Sequence, residues 1–474
     1  MAEQLKENKM GVMPVKKLIV TMSLPMMISM LVQAFYNITD SYFVAKVSED
    51  AMTAVSLAFP MQTLMIAVGT GTGVGVNALL SQSLGENNSE KASKAANTGL
   101  FLNIFNYLLF VIIGLFITTP FVASQTNFPI IKNYADDYLK IVCLASFGCF
   151  SQLMLERLMQ STGRTVLSMI SQITGAVINI VLDPILIFGL FGMPRLEVRG
   201  AAIATCIGQC CAAVVALILN LKYNKEITLS FKSMFHPEGV IVGKIYAVGV
   251  PSILMVSVGS VMTYLMNIIL GTFSSTAQAV FGIYFRIQSF FFMPVFGLNN
   301  GLIPVLAYNL GARRRDRINE ALRFSVVLAV IIMFVGMLTF ELLPAQILSI
   351  FDASDAMLEI GVPALRIIGI HLPIAAFCIT LGSVFQAFSK SYFSMIVSLG
   401  RQLVILIPVA WFLSLTGVIN NVWWCFPIAE VMSLILTVIF FIAVRGMVLH
   451  KLPQTQTNCV SQLMRWRLWR MYIL

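Results

Sequence analysis

Residues 23–45 read SLPMMISMLVQAFYNITDSYFVA. About 20 apolar residues span the hydrocarbon core of a bilayer, so this segment is long enough to cross one as a helix. Eleven further apolar segments follow, separated by short polar loops. The twelve segments centre near residues 30, 66, 108, 150, 178, 212, 256, 292, 332, 372, 403 and 434. This pattern predicts an all-α, polytopic membrane protein with twelve transmembrane helices.

The composition supports a membrane location. Of 474 residues, 58% are hydrophobic and 11% are charged, whereas a soluble domain carries about 25% charged residues. A soluble protein of this length could not cover its surface with so few polar groups. The polar opening stretch and the long apolar run after it predict a retained first helix rather than a signal peptide.

Basic residues collect in alternate loops. They are Lys16, Lys17, Lys91, Lys94, Arg157, Arg164, Lys222, Lys225, Lys232, Lys244, Arg313, Arg314, Arg315, Arg317, Lys390 and Arg445. The positive-inside rule then predicts that both termini are cytoplasmic in a multi-pass protein of the cell membrane. This rule also accounts for the net charge of +10, so we expect no nucleic-acid partner.

The two halves of the chain repeat each other at a constant shift of 226 positions. The matched pairs are Pro25 and Pro251, Gln62 and Gln288, Gly71 and Gly297, Gly75 and Gly301, Gly85 and Gly311, Gln160 and Gln386, and residues 168–170 and 394–396. With six spans in each half, both copies enter the membrane in the same sense. We therefore expect two six-helix lobes related by a pseudo-twofold axis along the membrane normal.

The repeat also sets the expected domain boundaries. The N-terminal lobe should span residues 1–222 and the C-terminal lobe residues 244–450, joined by a cytoplasmic linker at 223–243. Residues 451–474 form a basic cytoplasmic tail. Its sequence, NCVSQLMRWRLWRMYIL from residue 458, is consistent with an interfacial amphipathic piece or with an altered reading frame.

Acidic side chains inside apolar spans are functional candidates, because a charge at the bilayer centre costs about 2.5–3.5 kcal/mol. Asp40 and Asp183 occur in the first half alone, where their repeat partners are Met266 and Val409. Pro184 frees a backbone carbonyl and offers a hinge. Asn179 lies one helical turn before Asp183. These side chains would form an oxygen-rich site for a monovalent cation or a shared proton. Alternatively, Asp40 lies at the outer interface and Asp183 caps a helix break.

Other polar groups in the spans leave two interpretations open. Glu156 either faces water at the interface or has a binding role, and Glu430 is either structural, paired with Arg401, or functional. His371 fits a satisfied core histidine better than a proton relay. The glycines of GTGTGVG at 69–75 favour close helix packing or a bend over a phosphate loop. The eight cysteines show no metal-binding spacing, and we expect no disulfide.

The chain resembles the multidrug and toxic compound extrusion (MATE) transporters, in particular the DinF-like, Gram-positive bacterial branch. The resemblance covers about residues 12–450. It rests on motifs in a fixed order: SLPMMISMLVQAFYNITDSYFV at 23–44, GVGVNALLSQSLGENN at 73–88, LDPILIFG at 182–189, RGAAIAT at 199–205, VPSILM at 250–255, GLIPVLAYNLGARR at 301–314 and FQAFSKSYFSMI at 385–396.

The resemblance implies alternating access and export of cationic amphiphilic drugs in exchange for H+ or Na+, with no cofactor. It implies a cation site in the first lobe at Asp40, Asn179, Asp183 and Thr205. Gln33, Tyr36, Tyr138 and Glu156 are candidates for the substrate cavity, and Pro184 for the hinge. Apart from such drugs and the lipid bilayer we expect no partner, and a single twelve-helix chain can act as a monomer. Other branches place acids in the second lobe, where this chain has Met255 and Gln288.

Two other functions remain open at this stage. A flippase for a lipid-linked saccharide would need cationic residues in its cavity, and Arg286 and Arg401 keep that alternative. An intramembrane enzyme would need a nucleophile with a base, or clustered metal-binding acids, at membrane depth. The sequence shows neither arrangement, so we expect no enzymatic activity.

Overall fold

The computed structural model describes residues 8–351 and 354–448, and within these ranges it contains helices and no β-strand. Helices satisfy all their backbone hydrogen bonds internally, which lipid-facing segments require. Ten helices are long and apolar enough to cross a membrane, and two bent helix pairs complete twelve spans. The tail at 451–474 lies outside the described residues.

The described part of the first half, from residue 8, contains nine α-helices. They are α1 (Lys9–Val12), α2 (Val15–Ala45), α3 (Glu49–Gly85), α4 (Ser89–Phe116), α5 (Thr118–Ala123), α6 (Pro129–Leu144), α7 (Phe147–Ser161), α8 (Thr165–Phe188) and α9 (Val198–Tyr223). Helices α6 and α7 meet at 48° and form the bent fourth span.

The second half follows a short connecting helix, α10 (Phe231–Met234). Its helices are α11 (Gly239–Gly271), α12 (Ser275–Gly311), α13 (Arg315–Leu342), α14 (Pro344–Ser349), α15 (Asp355–Gly369), α16 (Leu372–Ala387), α17 (Ser391–Leu399), α18 (Ile407–Ser414), α19 (Ile419–Val422) and α20 (Cys425–Val448). Helices α15 and α16 meet at 46°, and a π-helical segment, Gly400–Leu406, joins α17 to α18.

The helix boundaries repeat at the shift found in the sequence. Helix α3 begins at Glu49 and ends at Gly85, and α12 begins at Ser275 and ends at Gly311. Helices α4 and α13 correspond in the same way, as do the two bent spans. The halves differ where α8 is a regular α-helix but its counterpart contains the π-helical segment. The fold is therefore two copies of one six-span unit.

Glycines bring the two lobes into backbone contact. A Cβ atom at Gly85 of α3 would overlap the carbonyl oxygen of Tyr308 on α12, and one at Gly311 would overlap the carbonyl oxygen of Gln82. Tyr308 is itself the repeat partner of Gln82. The contact is therefore symmetric, as a pseudo-twofold axis between the lobes requires.

The remaining inter-lobe glycines extend this contact along the helices. Gly71 and Gly75 of α3 approach α11, and Gly297 and Gly301 approach α2. A Cβ at Gly297 would lie 2.6 Å from the Cα of Met27. The close-packing interpretation of the glycine-rich segment is confirmed for Gly71 and Gly75. Helices α2 and α3 are consecutive spans that run in opposite directions, so the start of α2 and the end of α3 lie on the same side of the membrane. The lobes converge on that side.

Candidate functional site

Helix α8 places Asn179 and Asp183 one turn apart, and both side chains are buried. The Asn179 Nδ2 group donates to Asp183 Oδ1 at 3.3 Å and to Thr205 Oγ1 of α9 at 3.3 Å. Thr205 Oγ1 also lies 3.5 Å from the hydroxyl of Tyr36 on α2. Three helices of the first half therefore bring these predicted residues into one cluster.

Asp40 lies one turn beyond Tyr36 on α2. Its carboxyl group is close enough to that of Asp183 for the two charges to repel. Among the described residues, three buried oxygens of this cluster have no hydrogen-bond partner: Asp40 Oδ1, Asn179 Oδ1 and Asp183 Oδ2. Unpaired buried acceptors are costly. The cluster can offset that cost by binding a cation or a proton.

The donor set of this cluster is two carboxylates, an amide and hydroxyl groups. Oxygen ligands of this kind select hard cations over transition metals. In residues 8–351 and 354–448, no group of three or more His, Cys, Asp and Glu side chains could hold a metal ion. The seven described cysteines are free. Two adjacent carboxylates cannot easily both ionise, and a monovalent cation or one shared proton relieves their repulsion.

Pro184 lies inside α8, which continues unbroken to Phe188. Asp183 therefore does not cap a helix break. The proline removes one backbone donor within the helix, next to the buried carboxyl group. This position allows α8 to bend at the cluster.

A small cavity of about 80 Å³ opens beside the cluster in the first half. Its wall includes Gln33, Tyr36, Glu156, Asn179 and Thr205. The Gln33 Oε1 atom accepts from Gln172 Nε2 at 3.0 Å.

Two of the predicted cavity residues differ from expectation in their surroundings. Glu156 is 5% exposed and accepts hydrogen bonds from Gln152 and Ser171, so it does not face water at the interface. Tyr138 of α6 is 1% exposed and packs within the apolar cluster of the first half, so it lines neither this cavity nor the larger one. Its neighbours also include Asp40 and Tyr36 of α2 and the side chain of Gln62, with which it forms a hydrogen bond, so Tyr138 lies beside the polar cluster.

A larger cavity of about 550 Å³ lies between the lobes and extends into the second half. Sequence reasoning missed it, because its wall comes from seven separate helices and the π-helical segment. Nine aromatic and methionine side chains line that wall: Met255, Met262, Tyr284, Phe285, Phe292, Met293, Phe296, Phe385 and Phe426. Its volume falls in the range of drug-sized sites.

Arg401 and Glu430 form an ion pair on the wall of this cavity, which is the pairing that the sequence analysis left open as one of two interpretations. Arg401 belongs to the π-helical segment. Its Nη1 group donates a hydrogen bond to Glu430 Oε2 over a distance of 3.1 Å. Glu430 Oε1 has no partner among the described residues, nor do the Ser433 and Thr437 hydroxyls on the same face of α20. The His371 ring nitrogen Nδ1 lies 2.5 Å from the carbonyl oxygen of Ile368, a satisfied core histidine.

Arg157 is the second feature that sequence reasoning missed. It was counted among the loop residues that set orientation, but it lies inside α7 and is 6% exposed. Its guanidinium lines the larger cavity. The signal was present in LMLERLMQ at 153–160, where apolar residues flank the charge on both sides.

The chain is similar to multidrug export proteins in sequence and to MATE structures in fold. The chain is 27% identical to the multidrug export protein MepA of Staphylococcus haemolyticus, over 90% of this chain and 92% of the relative. It is 25% identical to MepA of Staphylococcus aureus strain bovine RF122, over 88% and 91%. The crystal structure of MATE in complex with MaL6 has a TM-score of 0.87 and 25% identity, covering 94% of this chain and 99% of that one.

The model of the MatE family matches the chain twice, at residues 25–185 and 251–412. The two matches begin 226 positions apart, which is the shift of the internal repeat. Together they cover well over half of the chain. The chain therefore belongs to the MatE family of multidrug transporters.

Proposed function

We propose that this protein exports cationic amphiphilic compounds across the cell membrane by antiport with H+ or Na+. The cation site is the first-lobe cluster of Asp40, Asn179, Asp183 and Thr205. One observation carries this assignment: three unpartnered, buried oxygens converge there. The second half has apolar side chains at the repeat positions of both aspartates.

The coupling follows from the charge of the cluster. Binding of Na+ or a proton neutralises the repulsion between Asp40 and Asp183 and removes the cost of the unpaired oxygens. Helix α8 then bends at Pro184, and the drug is released outward. One charge moving through 100 mV yields about 2.3 kcal/mol, and one pH unit adds about 1.36 kcal/mol.

The orientation rests on the distribution of basic residues. Under the positive-inside rule, the side at which α2 begins is cytoplasmic, and so are both termini. The glycine contacts between the lobes close that side, so the conformation described is open outward. The lobes are residues 1–222 and 244–450, with a cytoplasmic linker at 223–243. The protein acts as a monomer, needs no cofactor and is not an enzyme.

The test is ethidium efflux from cells that express the chain, with the Na+ and proton gradients varied independently. Asp40→Asn and Asp183→Asn should abolish efflux, whereas Asp50→Asn, an exposed residue at the start of α3, should not. The ion whose gradient drives efflux names the coupling. Normal export by both cluster variants would contradict the proposed site and move attention to Glu430.

A wild-type protein that exports no dye would favour the flippase alternative. Of the two arginines that kept that alternative open, Arg401 lies on the wall of the larger cavity but is bonded to Glu430. Arg286 is not part of that wall.

A further inference from the structure

We propose that the floor of the larger cavity contains a carboxylate-binding subsite built around Arg157, so that the protein accepts zwitterionic aromatic substrates. This inference rests on the proposed export function and adds to it the anionic group of the substrate. It assigns the carboxylate of the substrate to the first lobe and its flat rings to the apolar wall of the second.

The position of Arg157 is the first observation. Its side chain is 94% buried yet faces the cavity. Gly73 of α3 makes room for its stem, since a Cβ atom there would lie 2.7 Å from Arg157 Cγ. The guanidinium is therefore held in place by packing before any ligand arrives, which lowers the entropic cost of binding.

The unused donors of Arg157 are the second observation. Its Nη1 group donates to Gln160 Oε1 at 2.9 Å and to Asn300 Oδ1 at 3.0 Å. Both acceptors are neutral amides. Within the described residues, the Nε and Nη2 groups make no hydrogen bond. They form the side of the guanidinium fork that recognises a carboxylate with two parallel hydrogen bonds.

The charge balance of the wall is the third observation. Its arginine and acidic side chains are Arg157, Arg401 and Glu430, and Glu430 is bonded to Arg401. Glu156, the neighbour of Arg157 in sequence, directs its carboxylate to Gln152 and Ser171 instead. Glu156 attracts Arg157 through space, but no carboxylate of the described residues forms an ion pair with the guanidinium. A carboxylate of the substrate would supply that direct contact.

The Asn300 bond places the subsite at the junction of the lobes, because Arg157 belongs to α7 and Asn300 to α12. A carboxylate bound by Arg157 therefore lies where the two halves separate during alternating access. The aromatic and methionine side chains above it suit a flat ring system.

The experiment uses the full-length protein in phosphatidylcholine nanodiscs and two dyes that differ in one group. Rhodamine B carries a cationic ring system and a carboxylate, and its ethyl ester carries the same ring system without the negative charge. Fluorescence polarisation gives the Kd of each dye. Wild type should bind rhodamine B roughly 10-fold more tightly than the ester, a difference of about 1.4 kcal/mol.

The variants separate the subsite from general electrostatic attraction. Arg157→Gln should reduce the 10-fold preference to about 1 by weakening rhodamine B binding alone, and Arg157→Lys should keep part of it. Arg286→Gln, which removes a cation elsewhere in α12, should keep all of it. Equal Kd values for the two dyes in wild type, or an unchanged preference in Arg157→Gln, would overturn the proposal even if one variant failed to fold.

Two further arms identify the source of the anion and isolate the proposal. If phosphatidylglycerol in the nanodisc removes the preference for rhodamine B over its ester, the subsite binds a lipid headgroup and the substrate assignment is wrong. Asp40→Asn should leave the preference intact, since binding in nanodiscs requires no ion coupling. The proposed antiport can therefore fail while this subsite stands, and the reverse also holds.

Discussion

The substitution Gly85→Ala should displace the conformation in which the lobes meet on the side where α2 begins. The added methyl group would overlap the carbonyl oxygen of Tyr308, and it would lie 2.9 Å from the backbone nitrogen of Ala312. Both obstacles are backbone atoms, one within α12 and one in the residue that caps its C-terminus. A side-chain rotation cannot relieve the overlap, so the lobes must separate.

The size of the effect follows from the cost of over-packing. An extra methyl group in a well-packed contact costs about 1–3 kcal/mol. Since 1.4 kcal/mol is a factor of ten in an equilibrium constant, the population of the closed contact should fall roughly 5-fold to 150-fold relative to the alternative conformation. Gly311→Ala, the symmetric substitution, should have an effect of the same size.

Double electron–electron resonance measures this shift directly. Spin labels at Glu90 and Asp316, in a background without native cysteines, report the distance between the lobes. Both residues are exposed in the first turns of α4 and α13, and they are repeat partners. Gly85→Ala should move intensity from the shorter to the longer distance.

Gly259→Ala is the matched control, because the nearest atom to a Cβ at that position of α11 is 3.6 Å away. It should leave the distance distribution unchanged. If Gly85→Ala also gives the wild-type distribution, then the glycine contact does not hold the lobes together and the argument from backbone overlap is wrong.

Two further predictions concern buried charge. Glu430→Gln leaves Arg401 unpaired and should lower the free energy of unfolding by about 3 kcal/mol, measured by chemical unfolding in micelles; the double variant Arg401→Gln/Glu430→Gln should recover part of this loss, and no recovery would contradict the pairing. Glu226 lies in the connection between the lobes, and burial raises the pKa of its carboxyl group. A hydrogen bond from Asn8 at 2.5 Å lowers that pKa but does not cancel the effect of burial. Because the folded chain then holds that proton more tightly than the unfolded chain, stability should fall as pH rises through the raised pKa. Glu226→Gln should remove this fall in stability, so the difference in melting temperature between wild type and the variant should change with pH. A difference that stays constant with pH would contradict the prediction.

The fold was predictable because a membrane leaves few alternatives. Apolar segments of spanning length must be helices, and the repeat at a shift of 226 then organises them into two equal lobes. The paired helices Glu49–Gly85 and Ser275–Gly311 agree with that shift at both ends. The sequence could also place Asn179 and Asp183 on one face of a helix, since their spacing is a single turn.

The larger cavity could not be predicted in this way. Its shape depends on how the aromatic side chains of α12 and α20 meet, and on the π-helical segment around Arg401, and neither is a local property. Arg157 was misplaced for a related reason. The apolar residues that flank Arg157 indicate burial, but the sequence does not show which cavity a buried cation faces, because that depends on tertiary packing. The burial of Tyr138 depends on tertiary packing in the same way.

The polar residues of the two lobes show how a duplicated scaffold can divide one task. Asp40 and Asp183 have Met266 and Val409 as repeat partners, while Arg401 and Glu430 replace Gly175 and Ala204 of the first half. The cluster of unpartnered oxygens lies beside a cavity of about 80 Å³, whereas the ion pair lines one of about 550 Å³. A small cavity suits an ion and a large aromatic one suits an organic molecule.

The shared backbone contact between the lobes then has a clear role. If the ion binds at the first-lobe cluster and the substrate in the larger cavity between the lobes, as proposed, their binding must be linked through the elements that join the lobes. Those elements are the glycine contacts of α3 and α12 and the bond from Arg157 to Asn300. Arg157 directly follows Glu156, whose carboxyl group lines the small cavity. Helix α7 therefore presents one charged side chain to each cavity, and a rotation of α7 would change both sites together.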